Sequence, residues 1–141
     1  MKGAGEARQR GLIAPDIDVD SLAWWEAVAQ HRLLLPHCRS CDLTWFPPMP
    51  ACPRCGSQET ELCESTGKGS VYSWVVVNRS LSPVFAGETP YVIAAVDLEH
   101  GARLLGRLLA SADNRRLRAG APVIADFYEV QGQTLVGFRL V

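Results

Sequence analysis

The sequence predicts a mainly β chain built as an N-terminal helix, a rubredoxin-like metal ribbon and a five-stranded barrel. Three observations carry this expectation. Four cysteines stand as two CxxC pairs, Cys38-Arg39-Ser40-Cys41 and Cys52-Pro53-Arg54-Cys55, ten residues apart. One amphipathic stretch precedes them, and five strand-like segments separated by turn residues follow.

Residues 1–15 mix Gly, Ala and charge without an apolar period and are expected to form a flexible tail. Residues 16–35 form the helical segment. Asp20 or Ser21 supplies an N-cap, and Leu22, Trp25, Val28 and Ala29 share one helical face. Adjacent indoles on a helix point about 100° apart, so Trp24 and Trp25 cannot both face one core. They pack on the body of the chain or dock a partner. The short strand Arg32-Leu33-Leu34-Leu35-Pro36 then leads into the ribbon, placed at residues 36–64.

Within the ribbon, each two-residue spacing lets a tight turn aim two thiolates at one ion, and two such turns complete a tetrahedral four-sulfur shell. Cys38, Cys41, Cys52 and Cys55 are therefore read as ligands of structural zinc. A closed shell has no position for water or substrate, which places any chemistry elsewhere. Iron takes the same ligand set and would colour the protein. Disulfides need an oxidising compartment, and the polar start Met1-Lys2-Gly3-Ala4-Gly5-Glu6 has no signal-peptide character, so a cytoplasmic setting is expected. A thioredoxin-type dithiol needs one CxxC between a strand and a helix, not two among prolines. The fifth cysteine, Cys63, reads as a small half-buried strand residue, and His37 as a surface neighbour of the first knuckle.

Residues 65–141 turn to β texture. Segments 69–78, 91–97, 102–108, 122–129 and 135–140 read as strands, the last two joined by the hairpin signal Gln131-Gly132-Gln133. Residues 111–120 read as a turn or one short helix ended by Gly120. Five strands with a break after the third is the order of an OB-fold barrel. At 141 residues the chain can hold one ordinary core with a metal-stapled appendage. Its 48% hydrophobic content and net charge of -1 suit a folded protein and argue against a broad phosphate-binding field. No apolar run approaches the length of a membrane span.

The run Trp24-Trp25-Glu26, the lead-in Leu33-Leu34-Leu35-Pro36-His37-Cys38, the block Phe46-Pro47-Pro48-Met49-Pro50-Ala51-Cys52-Pro53-Arg54-Cys55-Gly56-Ser57 and the stretch Gly67-Lys68-Gly69-Ser70-Val71-Tyr72-Ser73 occur together. From about Ser21 to Val141 the chain thus resembles the zinc-ribbon plus OB-fold family catalogued as domain of unknown function thirty-five. Proteins of that family are acyl-CoA-associated accessory subunits of thiolase-like enzymes or hot-dog-fold hydratases. The resemblance implies a scaffolding, hetero-oligomeric subunit in lipid or steroid metabolism, whose partner is a thiolase, a thiolase-like acyltransferase or a steroid side-chain retro-aldolase. It also implies no catalytic residues in this chain and no activity alone.

The residues agree with that implication. His31, His37 and His100 fall in a helix, a knuckle and a turn, and form no nucleophile set. Glu64, Asp97, Glu99, Asp126 and Glu129 read as solvated strand-end charges. Gly67-Lys68-Gly69-Ser70 lacks the GxxxxGK[ST] frame of a phosphate loop and leads into β structure. For acyl-CoA or partner contact, the candidates are Trp24, Trp25, Tyr72, Trp74, Arg79, Phe85 and Arg107, with Arg103 beside them. Against this, Tyr72, Trp74 and Val76 alternate onto one side of their strand, which is the pattern of a barrel interior. The loop Ser80–Pro90, with Leu81, Val84 and Phe85, reads as exposed and binding. Two alternatives stand beside the thiolase partner. One is single-stranded nucleic-acid binding, opposed by the charge balance, in which Arg115, Arg116 and Arg118 form the one basic cluster. The other is a subunit of a hot-dog-fold enoyl-CoA hydratase.

Overall fold

The computed structural model describes residues 14–109 and 114–141. The expected tail at 1–15 therefore lies almost wholly outside the described residues, as does part of the segment 111–120. In chain order the elements are α1 (Leu22–Ala29), β1 (Leu34–Cys38), β2 (Thr60–Glu64), β3 (Lys68–Val77), β4 (Tyr91–Leu98), β5 (Arg103–Leu108), β6 (Pro122–Val130) and β7 (Gln133–Leu140), with single 3-10 turns at Ala86–Glu88 and Asn114–Arg116. The chain is mainly β, as its sequence predicts. No helix among the described residues is long and apolar enough to cross a membrane.

Helix α1 buries Trp24, Ala27 and Val28, while Leu22 is exposed. The buried stripe is thus i, i+3, i+4 from Trp24, one residue off the face expected from Leu22, Trp25 and Ala29. The large indole of Trp24 has more apolar area to remove from water than Leu22 and sets the rotation. Trp25 stands edge-on to it, with ring centroids 4.7 Å apart at 85°, at the margin of the core. The cap also differs. Asp18 and Ser21 bond reciprocally, the Asp18 carboxylate accepting from the Ser21 N–H at 2.8 Å and the Ser21 hydroxyl from the Asp18 N–H at 3.2 Å. Ser21 makes no side-chain cap to the helix itself. At the other end His31 takes the left-handed conformation (φ 58) and stacks on Phe127 of β6 at 5.0 Å, which ties the helix to the barrel.

Strands β1 and β2 form a two-stranded antiparallel sheet, Leu34 opposite Glu64 and Cys38 opposite Thr60. This sheet joins the two ends of the ribbon. The remaining strands form a closed barrel in the order β3-β4-β5-β7-β6, with one parallel pairing, β5 on β7. A two-residue turn, Gln131-Gly132, both at positive φ, connects β6 to β7 as the hairpin signal predicts. The core is continuous across helix and barrel. Trp24, Val28, Leu33 and Leu35 share it with Val71, Val96, Leu104, Val123 and Phe138. A second small cluster of Cys38, Trp45 and Cys52 lies inside the ribbon.

Candidate metal centre and adjoining surfaces

The two CxxC turns are built alike. The N–H of Cys38 donates to the carbonyl of Leu43 and that of Cys52 to Ser57, each five residues on, both at 2.8 Å. The carbonyls of Cys38 and Cys52 accept from Asp42 and Gly56, each four residues on, both at 2.9 Å. Asp42 (φ 68) and Gly56 (φ 75) close their turns in the same left-handed conformation. The sequence spacing thus produces a pair of matched knuckles that face each other.

All four Sγ atoms lie within 4.8 Å of one another, with Cys38–Cys55 and Cys41–Cys52 both at 3.6 Å. A tetrahedral zinc with bonds of about 2.3 Å holds its sulfurs about 3.8 Å apart, so the four cysteines are placed to bind such an ion. Cys38 and Cys52 are buried, Cys41 is partly covered and Cys55 faces solvent. Burial opposes ionisation of Cys52. The N–H groups of Cys55 and Arg54 and the neighbouring thiols outweigh it and pull the thiol down to about 6. Burial likewise opposes ionisation of Cys38, and the N–H groups of Cys41 and Ser40 lower it. At Cys41 the N–H of Leu43 favours the thiolate, but burial and the adjacent sulfurs hold the thiol up to about 11. Cys52 is thus prepared as a thiolate before the metal arrives, Cys38 is shifted in the same direction, and the ion must displace the remaining protons.

Beside the first knuckle lies a basin of about 470 Å³ lined by His37, Asp42, Glu61, Cys63, Glu64 and His100, among others. The spacing of these residues did not reveal it, because β2 folds back from more than twenty positions downstream to meet His37. The His37 imidazole contacts the Thr44 hydroxyl through Nδ1 and Asp42 through Nε2, both at 3.0 Å. Cys63 is exposed rather than half-buried.

On the barrel, Tyr72 and Trp74 do not share a face. A bulge between Val71 and Ser73 shifts the β3–β4 register and makes Tyr72 the extra residue. Tyr72 then lies beneath Arg103, whose guanidinium carbon is 3.5 Å from the ring centroid. Trp74 pairs with the buried Ala94, on the inner side of the sheet, but remains 37% exposed, with Val76 at 50%. The expectation that these side chains fill the barrel fails because β6 accompanies β3 only over Lys68–Ser70.

The arginines expected to meet phosphates are mostly engaged. Arg103 forms a two-point contact with Asp97 at 2.6 and 3.1 Å, and Arg107 pairs with Glu88 while lying over Tyr91. Arg79 is exposed at the start of the loop. Carboxylates read as solvated are likewise partnered: Glu64 by Arg32, Glu99 by the Thr66 hydroxyl and Asp126 by Arg139. In the loop Ser80–Pro90, Leu81 is 92% exposed, whereas Phe85 is half-buried against Tyr91. Three of the candidate residues do converge. Trp24, Trp25 and Arg107 line an apolar groove of about 410 Å³ between α1, the ribbon connector at Phe46 and strands β4–β7. Trp24 is 5% exposed, so it forms the groove's wall and packs on the chain's own body.

Comparison with known proteins follows this architecture. Residues 25–61 match the family described as ChsH2, rubredoxin-like zinc ribbon domain, and residues 63–128 match ChsH2, C-terminal OB-fold domain. A protein of Thermomonospora curvata named probable enoyl-CoA hydratase alpha subunit is 39% identical over 126 residues, which are 89% of this chain and 39% of that protein. The chain therefore spans about two fifths of that relative's length. A DUF35 domain-containing scaffold protein of Pyrococcus furiosus is 36% identical over 122 residues, 82% of this chain and 87% of that protein. Among solved structures, a chain of the Ltp2-ChsH2(DUF35) aldolase is 38% identical with a TM-score of 0.79, covering 89% of this chain and 98% of that one. With ribbon and barrel each matched in order, and a scaffold protein covered over most of its length, the chain belongs to the DUF35 family in its ChsH2-type form, a rubredoxin-like zinc ribbon followed by an OB-fold.

Proposed function

We propose that this chain is a non-catalytic, zinc-stabilised accessory subunit that scaffolds an acyl-CoA enzyme of the thiolase superfamily and helps hold the CoA ester. The observation that carries the reading is the match, over 98% of its length, to the ChsH2(DUF35) chain of an aldolase whose name joins it to a second component, Ltp2. The partner class is that of a thiolase, an acyltransferase or a steroid side-chain retro-aldolase. The closed four-sulfur shell leaves the metal a structural task, so the reacting groups belong to the partner. The groove at Trp25 and Arg107 offers an apolar wall and one cation, which suits a thioester's acyl chain or pantetheine arm. Four metal-binding thiolates suit a reducing, cytoplasmic setting.

A second reading is favoured by the Thermomonospora curvata relative, whose name is that of a hydratase alpha subunit. There the same ribbon and barrel would serve a hot-dog-fold enoyl-CoA hydratase. Co-expression separates the two. The chain is produced with a thiolase-like subunit and, in parallel, with a hydratase subunit, and each product is assayed for size, zinc and acyl-CoA turnover. A zinc-containing complex that cleaves or transfers acyl-CoA only when both chains are present supports the first reading. Assembly with the hydratase subunit alone moves the assignment to the second, and assembly with neither sinks both.

A further inference from the structure

Strand β3 is guarded over its first half and bare over its second. Lys68–Ser70 pair with β6 on one side and β4 on the other, and Val71 exchanges bonds with Gly120 and Ala121. From Ser73 to Val77 the ladder partner among the described residues is β4 alone. One backbone edge of five residues is therefore open. Both faces beside it are apolar. Trp74 and Val76 lie on the inner side, and Val75, 60% exposed, lies on the outer side next to Ile93 and, one strand further, Leu105, 71% exposed. Natural sheets protect such edges with lysine, proline or a bulge. Here the bulge falls at Val71/Ser73, before the open part, and the run Tyr72-Ser73-Trp74-Val75-Val76-Val77-Asn78 holds no charge and no proline.

We propose that this edge pairs with the same edge of a second copy, extending the two barrels into one antiparallel sheet about a two-fold axis at Val75. The sequence of the edge suits itself. Antiparallel pairing centred on Val75 sets Trp74 against Val76 twice, an aromatic against a β-branched side chain, and Ser73 against Val77. No charge meets a like charge, because the run Tyr72–Asn78 carries none and pairing stops short of Val71, whose edge Gly120 and Ala121 already hold. The Arg103–Asp97 and Arg107–Glu88 pairs then form a neutral rim around an apolar centre, the composition of a protein interface.

The test uses the zinc-loaded full chain without any partner. Sedimentation from about 1 to about 100 µM should show a dimer whose fraction rises with concentration. Val75→Lys places two ammonium groups face to face on the axis and should weaken association at least about tenfold. Leu81→Lys, which removes a more exposed apolar side chain away from the edge, should leave it unchanged. In a Cys63→Ser background, Val75→Cys should form a disulfide-linked dimer on mild oxidation, since directly opposed residues have Cα atoms about 4.5 to 5.5 Å apart, within disulfide reach. Val76→Cys, off the axis and facing Trp74, should not. A chain that stays monomeric throughout overturns the proposal, as does equal cross-linking at both positions. If the chain alone stays monomeric and, in a separate co-expression with a thiolase-like subunit, Val75→Lys abolishes that complex, the edge belongs to that partner and not to a second copy.

Discussion

Gly106 on β5 lies directly under the ring of Phe138 on β7: a Cβ on this glycine would come within 2.7 Å of the ring and 3.2 Å of the Val136 carbonyl. Phe138 is fully buried at the centre of the core. Its ring fills the space that a side chain at 106 would need, where the parallel β5–β7 pairing closes the barrel. Gly106→Ala should therefore destabilise the chain by about 1 to 3 kcal/mol, the range of an overpacked core. The sign is the test, because the lower entropy of an unfolded alanine chain would by itself stabilise by about 0.4 to 1 kcal/mol. Urea unfolding of the two proteins measures it.

The ribbon makes a different demand. Its own apolar cluster amounts to Cys38, Trp45 and Cys52 with Leu43 and Cys41 beside them, too few side chains to hold a fold without the ion. Cys52→Ser should abolish stoichiometric zinc and expose Trp45, seen as a red-shifted and partly quenched fluorescence. Cys63→Ser, outside the shell, should leave zinc content unchanged. A Cys52→Ser protein that kept its metal and its melting behaviour would show that the four-sulfur shell is misassigned.

Proton competition should release the ion in acid. With its thiol at about 6, Cys52 is ionised at neutral pH before the metal binds, and Cys38 is shifted in the same direction. A depressed thiol contributes to binding above its own pKa and loses that contribution as pH falls through it. Zinc should remain bound from pH 8 down to about 6 and escape progressively below that value, followed with a chromogenic chelator. Uptake by the apo-protein at pH 7 should liberate protons, because Cys41, held up to about 11, is still a thiol there. Release already complete at pH 7 would contradict the lowered Cys52 thiol.

The parts legible in the sequence are those fixed by local pattern. CxxC spacing determined the knuckles, and short apolar runs bounded by turn residues located all five barrel strands. What escaped was set by tertiary pairing. Strand β2 carries weak β signals and exists because β1 pairs with it. The bulge that turns Tyr72 away from Trp74 follows from the register against β4, on which the sequence of β3 is silent. The helix rotation depended on whether Trp24 or Trp25 meets Phe46, and the ring centroid of Trp24 lies 5.1 Å from it. Ion pairs such as Arg103–Asp97 join residues six apart across a turn, and so carried no helical or strand signature either. Arg79 and Phe85, named together as contacts, ended in different surroundings, one exposed and one leaning on Tyr91.

The groove beside α1 yields a test with opposite signs from two neighbouring residues. Arg107 is the least exposed of the paired arginines, its side chain 19% accessible, and Glu88 offsets its charge. If an acyl-CoA lies in this groove with an anionic group at Arg107, then Arg107→Ala removes the cation and should weaken CoA-ester binding by the assembled complex about tenfold or more, the scale of a hydrogen bond to a charged group. Glu88→Gln keeps the side chain's size but removes the competing negative charge, and should tighten binding several-fold. Trp25→Ala should weaken binding of long-chain esters more than of free CoA, since it strips apolar wall and leaves the cation in place. Titration calorimetry with CoA and with a long-chain acyl-CoA distinguishes these effects. Equal affinities in all three variants would remove the groove from the ligand's path and reduce the proposed role to scaffolding alone.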